Sequence, residues 1–161
     1  ADLSYADLSY ANLAYADLSY ADLSYANLNN TEVTNAELIY ADLSHGNFVD
    51  SYMSWSDFTG ADLSWADMSL VLMEYADLSY ANLSYANLSN VELRSTTIVG
   101  GDLTYSNLKF TDLRFTDLSY ANLSYADLDG TDLYGVNWSD TYCPDGTNSN
   151  YNNGNTCEYN L

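Results

Sequence analysis

Basic side chains are almost missing from this chain: three Lys and Arg stand against 23 Asp and Glu, a formal net charge of −20 over 161 residues. Phosphates would be repelled at every approach, so nucleic acid is excluded as a direct ligand, and an anionic membrane surface with it. A partner should be a basic protein surface, a cation, or a second copy of the chain once counter-ions screen the charge. No apolar run approaches the ~18 residues of a membrane span, and no signal peptide is visible. Histidine occurs once, as His45 beside Ser44. A nucleophile and a base with no third orienting group and no oxyanion hole make no triad. Phosphate loops, dinucleotide fingerprints and metal-binding His/Cys clusters are absent as motifs, so neither an enzyme nor a cofactor is expected. The two cysteines, Cys143 and Cys157, lie in a polar tail. A disulfide fits them better than a metal pair, which would want two more Cys or His nearby.

What the chain has in abundance is a period. A large apolar residue recurs every five positions from Leu3 to Trp138 without insertion or deletion, through 28 pentads. Two positions before it stands a small residue, usually Ala. One position before it stands Asp, Asn or Glu in all pentads but three. A helix at 100° per residue would smear such a repeat around its circumference. A flat strand fails as well, because an odd period throws alternate apolar residues to opposite faces. A backbone that turns a corner every five residues sends all of them inward, and only a small neighbour fits beside each in a narrow core.

The pattern Ala-(Asp/Asn)-Leu-Ser-Tyr over residues 1–140 resembles the pentapeptide-repeat family. That resemblance implies an all-β fold, a right-handed quadrilateral β-helix with four pentads per coil and about seven 20-residue coils. At roughly 4.8 Å per rung such a rod is about 34 Å long. Residues 141–161 form a second unit, a disulfide-stapled tail or cap. Its Cys-Pro-Asp-Gly-Thr-Asn-Ser segment is similar to one that ends some bacterial secreted members of the family. A Cys143–Cys157 bridge would close a loop worth about 3 kcal/mol in the chain-entropy view. Asn148, Asn150, Asn152 and Gly154 faintly echo a calcium loop but lack its acidic ligands, so no metal is expected.

With a 20-residue rung the sequence unrolls onto four faces. One column is an unbroken run of rings: Tyr5, Tyr25, His45, Trp65, Tyr85, Tyr105 and Tyr125. Stacked outward rings stabilise neighbouring rungs, yet so long an apolar stripe also reads as an interaction surface. The other aromatic columns are interrupted by Gly, Asn, Asp or Ser. On another face the acidic position gives way to Tyr52 and then Leu72, one rung apart, with Trp55 and Tyr75 beside them and Leu70 at the adjoining corner. Val71 should point inward. This substitution removes repulsion and adds apolar surface, and it reads as a lateral contact patch. Arg94 and Arg114 fall in one column above Glu74, a surface ion-pair column of small energetic worth. Dilution of Asp by Asn along the columns should relieve like-charge repulsion.

The chain opens at Ala1 in repeat register, as a cleaved precursor or a trimmed sequence would. An uncapped first rung invites stacking on another copy. The expected function is therefore that of a non-catalytic structural rod, exported to the extracellular space or cell surface, that self-associates end to end and through lateral contacts. The family resemblance also implies an alternative, a DNA-mimicking protein of the gyrase-protecting branch. That branch is cytosolic and dimeric, and this repeat carries no interrupting loop. Ice or mineral binding by the Ser and Asp columns is a third possibility, one that bulky rings beside them would spoil.

Overall fold

In the computed structural model, which describes residues 1–151 and 156–157, the chain turns a corner in every pentad and meets itself after 20 residues. Parallel bridges join residues 20 apart from Asp2↔Asp22 through to Asn122↔Tyr142. All begin at the residue just before the inward apolar one. Their pairing is that of a parallel sheet, but among the described residues it never extends into a multi-residue strand. A corner every five residues leaves one residue per side straight enough to pair. This refines the all-β expectation. The helical content described is one turn of 3₁₀-helix at Ser149–Tyr151.

The pentad is explained by its backbone N–H groups, each of which needs a partner. In residues 22–26, Asp22 donates down to Ala1 O at 2.8 Å and Leu23 donates up to Asp42 O at 2.7 Å. Tyr25 donates up to Ser44 O at 2.9 Å, and Ala26 closes the turn on Leu23 O at 3.0 Å. Only the N–H of Ser24 reaches no carbonyl. The Asp22 side chain supplies its acceptor, Oδ1 at 3.0 Å. Every Asp and Asn at this position, from Asp2 to Asn137, accepts the same bond. A short side chain carrying a carbonyl-type oxygen is what this Asx-turn requires. The acidity of the rod is thus largely a by-product of a backbone need that Asn meets equally well.

The residue that follows is the corner, and its φ is positive. Tyr5 has φ 59°, and 24 of the described non-glycine residues, Tyr5 included, share this conformation. Left-handed backbone costs an ordinary residue roughly 1–2 kcal/mol. Here the turn bond and the rung-to-rung bond of the same residue offset it.

The inward residues are fully buried through the middle of the tube, Phe48, Met53, Phe58 and Met73 among them, and Val71 joins them as expected. Gly46 shows why the neighbour must be small: a Cβ there would stand 2.5 Å from the Phe48 ring. Toward the carboxyl end the register runs past residue 140. Thr141 takes the small position and is buried, and Cys143 takes the inward position, five residues after Trp138. Tyr125 N–H donates to Pro144 O at 2.8 Å, so one further pentad belongs to the tube. The chain then reverses. Tyr142 pairs antiparallel with Asn148, Ser149 N–H donates to Thr141 O, and Cys143 is bonded to Cys157. Asn152 and Gly154, in the faint calcium-loop echo, lie outside the described residues.

Candidate interaction surfaces

The faces are numbered here by the pentads of the first rung: 1–5, 6–10, 11–15 and 16–20. At the corner after face 1 the ring column forms one continuous stack. Centroids lie 4.9 Å apart for Tyr5–Tyr25, 4.5 Å for Tyr25–His45 and 6.1 Å for His45–Trp65. The run continues at 4.3 Å for Trp65–Tyr85, 5.0 Å for Tyr85–Tyr105 and 4.8 Å for Tyr105–Tyr125. Adjacent planes diverge by no more than 13°. Each ring therefore spends its faces on its neighbours, a gain of about 0.5–1.5 kcal/mol per pair beyond area burial. Edges and hydroxyls are what the stack presents to solvent.

The interrupted columns use a different device. Tyr40, Tyr80, Phe110 and Phe115 each lean over a glycine one rung up, at Gly60, Gly100, Gly130 and Gly135. A Cβ at Gly60 would stand 2.3 Å from the Tyr40 ring. These glycines are seats for rings rather than gaps.

Face 3 departs from the pattern. Tyr52 and Leu72 are bridged to each other in the position that elsewhere, from Asp2 to Asn137, holds Asp, Asn or Glu, and once Thr97. Trp55 and Tyr75 stack at 4.3 Å along one edge, and Leu70 stands exposed at the opposite edge. Trp55 is 59% exposed and Tyr52 50%. The backbone gives something up here. Tyr52 and Leu72 offer no side-chain oxygen to the N–H of Ser54 and Glu74. The turn bond, made in every other pentad from Leu3 to Cys143, is absent at Met53 and Met73, so Ser56 and Ala76 donate to no carbonyl. Each such loss costs on the order of 1 kcal/mol.

Directly above the patch, over the next two rungs, lies the basic cluster. Arg94 contacts Glu74 at 3.2 Å, as the column arithmetic predicts, and also Asp112 at 2.8 Å. Arg114 clasps the same carboxylate through Nε at 2.8 Å and Nη2 at 2.6 Å. Asp112, overlooked in the sequence because it is 18 rather than 20 residues from Arg94, is the centre of the cluster. Arg114 and then Arg94 hold its carboxyl well below the usual carboxylate range, and the bond to Asp112 pushes both guanidinium groups up. Lys109 pairs with Asp127 at 3.0 Å, which raises the amine and lowers the acid. Phe110 and Phe115, also overlooked, are exposed on the two edges of face 3 at this level.

Asp and Asn interleave as anticipated. Asn27 donates from Nδ2 to Asp7, Asn82 to Asp62 and Asn87 to Asp67, at 3.0–3.1 Å. Face 4 keeps its carboxylates in sequence, with Asp17, Glu37, Asp57 and Asp77 bridged rung to rung. Among the described residues no group of three or more His, Cys, Asp or Glu is placed to hold a metal, and no helix is long and apolar enough to cross a membrane. A surface groove near Tyr125, Leu128 and Pro144 contains Asp127 and Asp129, the former already paired with Lys109.

Comparison with known proteins agrees with this architecture. The family described as Pentapeptide repeats matches in eight copies, over residues 1–38, 36–74, 72–109 and 102–135. No curated protein matches the chain. Among solved structures, HetL from Nostoc sp. strain PCC 7120, a pentapeptide repeat protein involved in heterocyst differentiation regulation, is 29% identical. The match covers 91% of this chain and 76% of HetL with a TM-score of 0.50. Rfr23 from Cyanothece 51142 is 22% identical, over 59% of each chain, at a TM-score of 0.46. The plasmid-mediated fluoroquinolone resistance protein QnrB1 is 20% identical over 81% of this chain and 76% of its own, at 0.40.

Proposed function

Because the chain belongs to the pentapeptide-repeat family, we propose that it is a non-catalytic structural rod, a right-handed quadrilateral tube of about seven coils, that self-associates side to side. One observation carries this reading. At Tyr52 and Leu72, in consecutive rungs, the chain gives up the Asx-turn oxygen, the turn bond and the acidic charge together, and exposes apolar side chains instead. Glu37, Glu92 and Thr97 also go without the Asx bond but keep the turn bond, so a rule broken on both counts in consecutive rungs of one face, at a cost in stability, is the signature of a contact site. An exposed apolar patch on a rod of charge −20 gains by burial against something equally apolar, and a second copy offers it. The antiparallel turn-back at Tyr142 and Asn148 favours flank contacts over stacking through the carboxyl end.

Export to an extracellular or cell-surface setting is the matching localisation, supported by the Cys143–Cys157 bridge, a bond that persists in oxidising compartments. A second reading, docking of a basic protein surface, is favoured by the bridged column Asp17, Glu37, Asp57 and Asp77 on face 4, where no Asn or cation intervenes. Sedimentation of the full chain against Leu72→Asp decides for the first reading. The parent should show a concentration-dependent larger species and the variant a monomer with an intact fold. Association undiminished in Leu72→Asp refutes the flank site. Association abolished by modest salt but indifferent to Leu72→Asp transfers the weight to charge docking.

A further inference from the structure

The upper end of the tube is closed over two of its four sides. The turn-back that follows Pro144 runs over faces 1 and 4, where Asn148 pairs with Tyr142, Ser149 bonds Thr141 and Trp138, and Asn150 accepts from Asp140. Faces 2 and 3 end at residues 126–135 with part of their backbone unpaired. Among the described residues the N–H groups of Leu128, Gly130, Leu133 and Gly135 reach no acceptor, and the carbonyls of Ala126 and Thr131 accept nothing. Leu133 is half-buried, whereas every inward residue from Leu23 to Leu128 is buried. A groove of about 570 Å³ between Tyr125, Leu128, Gly130 and Pro144 opens along the face 2 part of this edge.

Such an edge is a template for one more strand, and the rung below states what that strand must bring. There the N–H groups of Leu108 and Phe110 donate to the carbonyls of Asp127 and Asp129 at 2.8 and 3.0 Å, and Asp127 N–H donates to Ser106 O at 2.9 Å. Shifted up one rung, a guest pentad offers the carbonyls of its second and fourth residues to the N–H groups of Leu128 and Gly130. Its second N–H donates to Ala126 O, and its third side chain enters over Leu128. A second guest pentad repeats this on Leu133, Gly135 and Thr131. The guest's fourth residue falls in the column of Asp129, a carboxylate that forms no ion pair among the described residues. Arg94 meets Glu74 across the same one-rung step at 3.2 Å.

We infer that residues 126–135 bind an extended basic segment of another protein, added as one parallel ten-residue strand whose pentads read small, Asx, apolar, basic, any. The site lies apart from the flank patch and does not depend on it. Its occupant is a single strand rather than a second tube, because the turn-back bars a full coil from faces 1 and 4. Asp129 stands uncompensated on a rod of net charge −20, which favours a cation at the guest's fourth position.

The chain itself supplies a probe. Ser-Asn-Leu-Lys-Phe-Thr-Asp-Leu-Arg-Phe copies residues 106–115, which hold faces 2 and 3 one rung lower. Added to the full chain, this peptide should bind saturably and slow hydrogen exchange at the amides of Leu128, Gly130, Leu133 and Gly135. Ser-Leu-Asn-Lys-Phe-Thr-Leu-Asp-Arg-Phe keeps composition and charge but turns a polar group inward, and should bind about tenfold more weakly or worse. Asp129→Lys leaves every backbone bond in place and should weaken the first peptide about fivefold. The Lys109→Glu version of that peptide should bind the variant better than the parent. Equal binding of the first two peptides would reduce the attraction to charge alone and overturn the site. No binding, or unchanged exchange at those four amides, overturns it as well. Protection of the same amides at high protein concentration without peptide would give the edge to a second copy, and the assignment of partner falls.

Discussion

The ring ladder and the face 3 patch both put aromatic side chains into water, and the contrast between them shows what exposure does and does not signal. In the ladder every interior ring is sandwiched, the Asx-turn acids are in place, and each pentad closes its turn. Those rings are exposed because a corner residue has nowhere else to go, and stacking makes the best of it. In the patch the same rod forfeits hydrogen bonds in two consecutive rungs to hold Tyr52 and Leu72 where Asp or Asn belongs. A ladder needs no partner to explain it. The patch does, because its sequence is worse for the isolated fold than the repeat it replaced.

The sharpest way to break that comparison is to restore the repeat. Tyr52→Asn with Leu72→Asp should lower self-association at least about a hundredfold, since it removes the apolar centre of the contact. The same pair should raise the thermal midpoint of the monomer, because two Asx oxygens return to the N–H groups of Ser54 and Glu74, at about 1 kcal/mol each. Calorimetry beside sedimentation reads both effects. A restored variant that is less stable, or that still associates, removes the distinction between the two regions.

The ladder should answer in the opposite way. Trp65→Ala removes stacking on His45 and Tyr85 together and should cost about 1–2 kcal/mol of stability with association unchanged. Denaturant unfolding and the same sedimentation assay check this. Weaker association in Trp65→Ala would make the ladder an interface after all. Next in size, Asp62→Ala should cost about 1 kcal/mol, because the N–H of Ser64 and the amide of Asn82 both lose their acceptor. Asp62→Asn keeps that oxygen and should change stability by no more than a few tenths of a kcal/mol.

The inward residues were legible from the period of five alone, and the ladder and the patch followed once the family resemblance supplied a rung of 20, which reduces three dimensions to counting. What escaped counting was chemistry within the pentad. Asp and Asn were read as charge and its dilution, whereas their common feature is one oxygen aimed at the N–H of the residue two places on. Nothing in a tyrosine announces a φ near +60°; the glycines at positions 60, 100, 130 and 135 and the asparagines at 30, 35 and 90 hint that the corner is left-handed. The glycines passed for interruptions because a seat for a ring is visible only once the ring of the rung below is placed. Cys143 is five residues after Trp138 and was countable, but the change of composition at Thr141 hid the last pentad.

Asp112 marks where charge rather than shape matters at the Asx position. Its Oδ1 serves the N–H of Arg114 like any other Asx oxygen, at 3.1 Å, while the carboxylate as a whole holds two guanidinium groups. Asp112→Asn keeps the first role and loses the second. Because both arginines stay more than a third exposed, solvent screening holds the loss under about 1 kcal/mol. The folded-state pKa is lowered, so the ion-pair contribution is fully present above the unfolded carboxylate value near 4 and is lost as pH falls through the folded one. The stability difference between parent and Asp112→Asn should therefore be flat from about pH 5 upward and shrink only in stronger acid. Added salt at neutral pH should shrink it too. A difference that instead grows as pH falls would mean that Asp112 is protonated more readily in the folded chain than in the unfolded one, and that the two arginines do not hold it.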